Sequence, residues 1–167
     1  MTPIEIEHKF LIKMPSITAL ESQSGYRIRK MSQTYLACEQ GKSERVRKIE
    51  ENGVTSYVHT VKERISVLSC YEDEKTISEI EYNSLLLRAD RDKKSISKTR
   101  YSFEYASHTL EIDVYDFWND RATLEIELSS EDEPYGIPDF IEVIKEVSDD
   151  KRYKNTNLAK SVPFDEI

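Results

Sequence analysis

The chain has 167 residues, of which 38% are hydrophobic and 34% are charged, a composition typical of one folded domain spanning residues 1–167. Its net charge of −8 argues against nucleic acid as a partner, because a nucleic-acid backbone requires a broad basic face. No apolar run reaches the length that crosses a bilayer, and the distant Cys38 and Cys70 favour free thiols. We therefore expect a cytoplasmic protein with no membrane partner.

Apolar and charged residues alternate along most of the chain, a pattern that predicts antiparallel strands. In the first such stretch, IEIEHKF (residues 4–10), Glu5, Glu7 and Lys9 share one face and the opposite face is apolar. The same period recurs in residues 44–49, 57–62, 77–82, 95–105, 109–115 and 123–129. Glu79 and Glu81, in the third of these later segments, are expected to be structural residues or secondary residues of the site.

Three helices are predicted between these strands. Pro15-Ser16 is a start signal for residues 17–21, and Asn83-Ser84 is a candidate cap for a helix through Leu87. After Pro138, the apolar residues 140, 141, 144 and 147 fall on one helical face. Together the patterns predict an α+β domain with roughly eight strands and a few flanking helices.

The charged residues of the predicted strands come in couples two residues apart, and such couples point to the same face of a strand. The acidic couples are Glu5-Glu7, Glu111-Asp113 and Glu125-Glu127, and the basic ones are Arg45-Arg47 and Lys98-Arg100. In a sandwich these charges would be solvated; in a barrel covered by helices and loops they would line the lumen. Arg27-Ile28-Arg29 is interpreted as a solvated strand face.

The two kinds of couple favour two kinds of ligand. Clustered carboxylates suit a hard divalent cation such as Mg²⁺ or Mn²⁺. Clustered arginines and lysines suit the oxygens of a multiply charged phosphate compound. A polyphosphate with its metal ion satisfies both demands at once.

Seven motifs of the chain, in order, resemble those of the CYTH superfamily, the triphosphate tunnel metalloenzymes. The first is Glu5-x-Glu7-x-Lys9, which resembles the ExExK signature. The others are Arg45-Val46-Arg47, Thr60-Val61-Lys62, Lys98-Thr99-Arg100-Tyr101, Leu110-Glu111-Ile112-Asp113-Val114, Leu124-Glu125-Ile126-Glu127-Leu128 and the segment Asp150 to Ala159. Two elements depart from the family pattern: Gln33-Thr34-Tyr35-Leu36 stands for Q-G-Y-L, and Thr60-Val61-Lys62-Glu63 stands for T-I-K-G.

The resemblance implies an eight-stranded, closed antiparallel β-barrel, a triphosphate tunnel, and it is strongest to short bacterial inorganic triphosphatases. It implies two Mg²⁺ or Mn²⁺ ions held by Glu5, Glu7, Asp113, Glu125 and Glu127. The phosphates would be clamped by Lys9, Arg45, Arg47, Lys62, Lys98, Arg100 and Arg152. A proton acceptor for the attacking water would be Lys9 or Tyr35.

The substrate stays open between alternatives of different classes. The superfamily also includes thiamine triphosphatases and class IV-type adenylate cyclases, and the same binding residues would serve a non-catalytic polyphosphate or nucleotide sensor. We expect a small triphosphate as the partner. A homodimer is an additional expectation.

Overall fold

The computed structural model describes residues 3–167. Nine strands run through this part of the chain: β1 Ile4–Lys13, β2 Arg27–Leu36, β3 Lys42–Glu51, β4 Val54–Arg64, β5 Ser69–Ile77, β6 Ile96–Tyr105, β7 His108–Tyr115, β8 Arg121–Glu127 and β9 Val143–Glu146. The helical elements are α1 Ile17–Glu21, α2 Glu79–Leu86, α3 Asn155–Leu158 and a 3₁₀ turn, Lys151–Tyr153.

The first eight strands form a closed antiparallel barrel, which confirms the predicted fold. Their order is β5-β4-β3-β2-β6-β7-β8-β1, and the two ends of this series meet where residues 4–6 of β1 pair with residues 69–71 of β5. From Glu7 to Lys13, β1 pairs with β8. Closure leaves the barrel without unpaired edges. The ninth strand, β9, pairs with residues 10–12 of β1.

The segment 77–82 was predicted as a strand, but only Ile77 belongs to one, as the last residue of β5, and residues 79–82 begin α2, so that prediction was wrong. Ser78 caps the helix by accepting a hydrogen bond from the Glu81 backbone N–H, while its hydroxyl donates to the Glu81 carboxylate. This N-cap, in which the Ser78 hydroxyl bonds both the backbone and the side chain of Glu81, outweighs the alternation of the six residues. Glu79 and Glu81 are exposed on α2 and lie outside the barrel interior, and Ser78 replaces Asn83 as the cap.

The helix predicted after Pro138 was also wrong. Residues 143–146 are extended because their backbone pairs with β1. The apolar residues around them are buried in two different places: Ile141 lies in the cluster that covers β6, β7 and β8, and Val147 lies in a second cluster at the end of the barrel. The apolar spacing that would fit one helical face therefore arises because an extended segment buries residues on both of its sides.

Two apolar clusters determine where the polar interior begins. The outer cluster buries Leu110, Ile112, Leu124 and Ile126 outside the barrel, each 0% exposed, and such burial contributes about 1.5–3 kcal/mol per side chain. The end plug, residues 147–159, packs against the inward-facing side chains at one end of the barrel, which are Leu11, Tyr35, Ile96 and Tyr115. Within residues 3–167, no helix has the length and apolar character that spanning a membrane requires.

Candidate functional site

The barrel encloses a cavity of about 390 Å³, and every barrel strand contributes a side chain to it. Because side chains alternate along a strand, one face of each strand supplies the lining, except that Lys42 joins Ser43 where β3 begins. The charged and polar lining residues on the strands are Glu5, Glu7, Lys9, Arg29, Tyr35, Lys42, Ser43, Arg45, Arg47, Lys62, Arg64, Cys70, Glu72, Glu74, Arg100, Glu111, Glu125 and Glu127. The charged faces therefore point inward, as in the barrel alternative and not as in a sandwich.

The structure brings ten of the thirteen predicted site residues to this cavity: Glu5, Glu7, Lys9, Tyr35, Arg45, Arg47, Lys62, Arg100, Glu125 and Glu127. The other three, Lys98, Asp113 and Arg152, are not among its lining residues. Their surroundings differ from one another and explain what each does in the fold.

Lys98 and Asp113 form a buried ion pair inside the barrel, beside the cavity lining. The Lys98 Nζ donates to Asp113 Oδ2 at 2.7 Å, and the two side chains are 0% and 1% exposed. Asp113 also accepts two hydrogen bonds from the Arg100 guanidinium, at 2.7 and 2.9 Å. Both Asp113 oxygens are thus occupied, so in this structure Asp113 orients Arg100 and does not present a free ligand to the lumen.

Arg152 lies on the outer side of the end plug. Its guanidinium pairs with the carboxylates of Asp150 and Asp165 and is half exposed. From the same segment, Lys154 lines the cavity in its place. Burial, Arg64 and Lys9 lower the pKa of Lys154 to about 8.

Three carboxylates are crowded on the acidic side of the lumen. Burial and the charges of Glu125 and Glu5 raise the pKa of Glu7 well above its ordinary value. Burial also acts to raise the pKa of Glu125, but Lys9 and Arg100 outweigh it and the net shift is downward. For Glu5, burial is outweighed by Lys62, whose Nζ donates to Oε1 at 2.8 Å, and the pKa falls to about 2.

Two further carboxyls at the margin of this group, Glu127 and Glu72, also have raised pKa values, to which burial and neighbouring carboxyls contribute. Burial, followed by the neighbouring Glu111, raises the pKa of Glu127 to about 7. Burial and the hydrogen bond with Glu5 raise the pKa of Glu72 to about 7. Near neutral pH these carboxyls are therefore easily neutralised by a proton or a cation.

The acidic group has the chemistry of a hard-cation site. Carboxylate oxygens are the ligands that Mg²⁺ and Mn²⁺ prefer, and Oε1 of Glu125 is buried without a hydrogen-bond partner within residues 3–167. In the described part of the chain, no three acidic, histidine or cysteine side chains already stand as a ligand cluster. Glu5 instead accepts from Lys62. The donor set fits a divalent cation, and binding one would exchange such lumen pairs for metal bonds.

The basic side of the lumen suits a polyanion. Arg47 pairs with Glu74 at 3.2 Å, and burial together with Arg45 and Arg100 lowers the pKa of Arg47 to about 10. The Lys9 Nζ donates to the backbone carbonyl of Tyr153 at 2.8 Å. Lys9 thus has a neutral acceptor, while Arg47 has a charged one. Closely packed cations of this kind are stabilised when an anion with several charges lies between them.

The charged lining residues that sequence reasoning did not predict include Arg29, Lys42, Arg64, Glu72 and Glu74. Arg29, interpreted as solvated, donates to Glu111 at 3.2 Å, and its side chain is 18% exposed. The sequence did contain a signal for Arg29: it stands an even number of residues before Tyr35 on the same strand, so the two side chains point to the same face. Glu72 and Glu74 lie in the polar run CYEDEKT, which carries no alternation.

Comparisons with known proteins agree with this geometry. No family model matches the chain. The chain is 34% identical to the inorganic triphosphatase of Acetivibrio thermocellus over 158 residues, which cover 94% of each chain. The structure of the inorganic triphosphatase NE1496 superposes with a TM-score of 0.61 at 28% identity, covering 98% of this chain and 99% of the other. The PH1819 protein from Pyrococcus horikoshii OT3 shares the fold, with a TM-score of 0.61 at 18% identity over 77% and 80% of the two chains.

Proposed function

The chain belongs to the inorganic triphosphatase family of the CYTH superfamily, and from this premise we propose that it hydrolyses inorganic triphosphate with the help of Mg²⁺ or Mn²⁺ in the lumen of its barrel. The observation that carries the proposal is the convergence of side chains from all eight barrel strands on one cavity with an acidic and a basic side. Neither a solvated strand face nor an apolar ligand pocket has this composition.

The phosphate clamp consists of seven of the cations that line the cavity. Lys9, Arg45, Arg47, Lys62 and Arg100 were expected from sequence, and Arg64 and Lys154 are added by their position. Phosphoryl transfer depends mainly on in-line positioning and on neutralising charge, so these cations align the three phosphates and lower the barrier. Lys98 supports the clamp through Asp113, because the Asp113 carboxylate orients Arg100.

The cation would be held by Glu7 and Glu125, with Glu5 and Glu127 beside them. When bound, it neutralises phosphate charge and orients the reacting oxygens. Water attacks the terminal phosphorus, the bridging P–O bond breaks, and phosphate and pyrophosphate are released. The proton of the attacking water would be accepted by Tyr35 as its phenolate, or by Lys9 as its neutral amine; both side chains line the cavity.

A comparison of substrates tests the proposed activity. Purified protein with Mg²⁺ or Mn²⁺ receives tripolyphosphate, ATP or thiamine triphosphate, and the released phosphate, pyrophosphate and cyclic AMP are measured. We expect phosphate from tripolyphosphate at a rate far above that from ATP. Cyclic AMP from ATP, or faster hydrolysis of thiamine triphosphate, would assign a different superfamily activity, and tight binding without turnover would assign a sensor.

A second experiment distinguishes the two proton acceptors. Tyr35→Phe removes only the hydroxyl, which accepts a weak hydrogen bond of 3.4 Å from the Gln33 side chain. If Tyr35 accepts the proton, kcat falls and its dependence on pH changes, while KM for tripolyphosphate is maintained. Unchanged kcat in Tyr35→Phe would leave Lys9 as the acceptor.

The cellular location and the oligomeric state are also part of the proposal. A reducing, cytoplasmic location agrees with the free thiols of Cys38 and Cys70, of which Cys38 is exposed. The homodimer stays a prediction, and sedimentation of the purified protein at several concentrations checks it.

A further inference from the structure

The end plug is connected to the cavity through the backbone of Tyr153. The carbonyl oxygen of Tyr153 accepts a hydrogen bond of 2.8 Å from the Lys9 Nζ. The residue itself is 0% exposed, and its ring lies at 6.1 Å from that of Trp118. Its hydroxyl, on the outer side, donates to Asp165 Oδ2 at 3.0 Å. One residue thus links a cation of the lumen to the C-terminal tail.

Asp165 is the point at which several elements are tied to that tail. Its carboxylate accepts hydrogen bonds from Arg152 at 3.1 and 3.0 Å and from the Lys145 Nζ of β9 at 3.1 Å. Its backbone carbonyl accepts from Arg121 at the start of β8. The carboxylate thus receives donors from two elements, the 3₁₀ turn and β9, and fixes their relative positions more firmly than a single surface pair would.

The partner of Lys9 determines how much of its charge is available. Arg47 and Lys62 are each paired with a carboxylate of the lumen, so part of their positive field is already compensated. Lys9 has a carbonyl partner, which orients the ammonium without cancelling its charge. The Tyr153 carbonyl thus holds the Lys9 Nζ, and Glu125, which stands opposite Lys9 on the neighbouring strand, is the nearest alternative in the β1–β8 register.

We propose that Asp165 is a positioning residue: by holding Arg152, Tyr153 and Lys145 it fixes the end plug so that the Tyr153 carbonyl keeps the Lys9 ammonium directed into the cavity. The proposal rests on the proposed function for its kinetic consequence. Without the Asp165 carboxylate, the plug shifts, and Lys9 pairs with Glu125, a residue needed on the acidic side. Both tripolyphosphate and the divalent cation then bind more weakly.

The test compares Asp165→Asn with a matched control, Glu51→Gln. Glu51 makes an equally exposed bidentate pair with Arg27 on the far side of the barrel, with side-chain exposures of 26% and 55%, against 32% and 53% for Asp165 and Arg152. We expect Asp165→Asn to raise KM for tripolyphosphate about tenfold, with kcat within about twofold, since a misplaced binding group weakens ground and transition states alike. Glu51→Gln should leave both constants unchanged, and Asp165→Glu should restore part of the KM.

The KM separates positioning from a structural role, because a merely less stable plug reduces the amount of active enzyme and so lowers the apparent kcat at constant KM. Unchanged KM in Asp165→Asn therefore overturns the proposal. Hydrogen exchange of residues 150–158 supplies a readout independent of catalysis: it should become faster in Asp165→Asn and not in Glu51→Gln, and equal exchange in the two variants also overturns the proposal. Wild-type protein that fails to hydrolyse tripolyphosphate refutes the proposed function, while the exchange comparison still decides the role of Asp165.

Discussion

Two sides of the barrel surround the same cavity but are built differently. On the side of β6, β7 and β8, the backbone is covered on its outer face by the large apolar cluster, and six of the seven residues of β8 are buried. On the side of β3, β4 and β5, a smaller cluster with α2 covers the strands, and only two of the eleven residues of β4 are buried. One side is a packed wall, and the other is half exposed.

The ion pairs inside the barrel follow the same division. In the packed wall, Lys98, Arg100 and Asp113 form a dense network with side chains at most 10% exposed. In the half-exposed wall, Arg47, whose side chain is 6% exposed, pairs with Glu74, whose side chain is 39% exposed and therefore reached by water. Burial makes the first network costly to break, while water can replace the second. We therefore infer that the packed wall fixes the geometry and the half-exposed wall adapts to the substrate.

The largest expected effect follows from breaking the packed network. Asp113→Asn leaves Lys98 and Arg100 buried with one partner fewer, and loss of one partner from a buried pair costs about 3–5 kcal/mol. Urea unfolding at pH 7 measures the free energy of unfolding. The matched substitution in the other wall, Glu74→Gln, should cost less, because water reaches the exposed side of Glu74 and can solvate the Arg47 donor that loses its charged partner. Similar losses in both variants would refute the distinction between the walls.

The second effect concerns the acidic group on β8. Glu125→Gln keeps the shape of the side chain but removes a charge that faces Lys9, Arg100 and the proposed cation. We expect kcat/KM for tripolyphosphate to fall about 100-fold, at the upper range of disturbed metal sites. The fall should be smaller at a tenfold higher Mg²⁺ concentration. A loss that no concentration of Mg²⁺ or Mn²⁺ alleviates would argue against Glu125 as a metal ligand.

The two walls also differ in how well the sequence predicted them. In the packed wall, strands such as TLEIDVY and TLEIELS alternate strictly, because one face meets an apolar cluster and the other a charged lumen. In β5, half exposed on both faces, CYEDEKT carries no period, so Glu72 and Glu74 were missed. That Asp113 and Arg152 would not line the cavity was not readable either, since whether a charged side chain reaches the cavity depends on partners distant in sequence, Arg100 for one and Asp165 for the other.

A third, smaller effect tests whether the half-exposed wall adapts. Glu74 competes with the substrate for Arg47, so Glu74→Gln should free the guanidinium and lower KM for tripolyphosphate by about threefold, a fraction of the 1.5–3 kcal/mol of a charged hydrogen bond. Arg47→Gln, the complementary change, should raise KM by about tenfold. Initial rates over a range of tripolyphosphate at saturating Mg²⁺ give both values. An increase of KM in Glu74→Gln would mean that Glu74 positions Arg47 and does not compete for it.

The smallest effect is a pH dependence of stability that arises from Glu127, at the end of β8. Because the pKa of Glu127 is raised to about 7 in the folded protein and is near 4.5 in the unfolded chain, the folded state holds a proton that the unfolded state has lost between these values. Without metal, this carboxyl therefore lowers stability as pH rises from about 4.5 to 7, whereas Glu5, with its pKa lowered to about 2, affects stability only below pH 4.5.

Thermal unfolding of wild-type protein and Glu127→Gln across this range isolates the contribution of Glu127, since all other groups are common to both. We expect the variant to gain stability over wild type as pH rises, and Mg²⁺ to stabilise wild type more at pH 7.5 than at pH 5, where protons compete for the same oxygens. Parallel profiles for the two proteins would show that Glu127 is already ionised at pH 5 and that the crowding of the acidic group is relieved elsewhere.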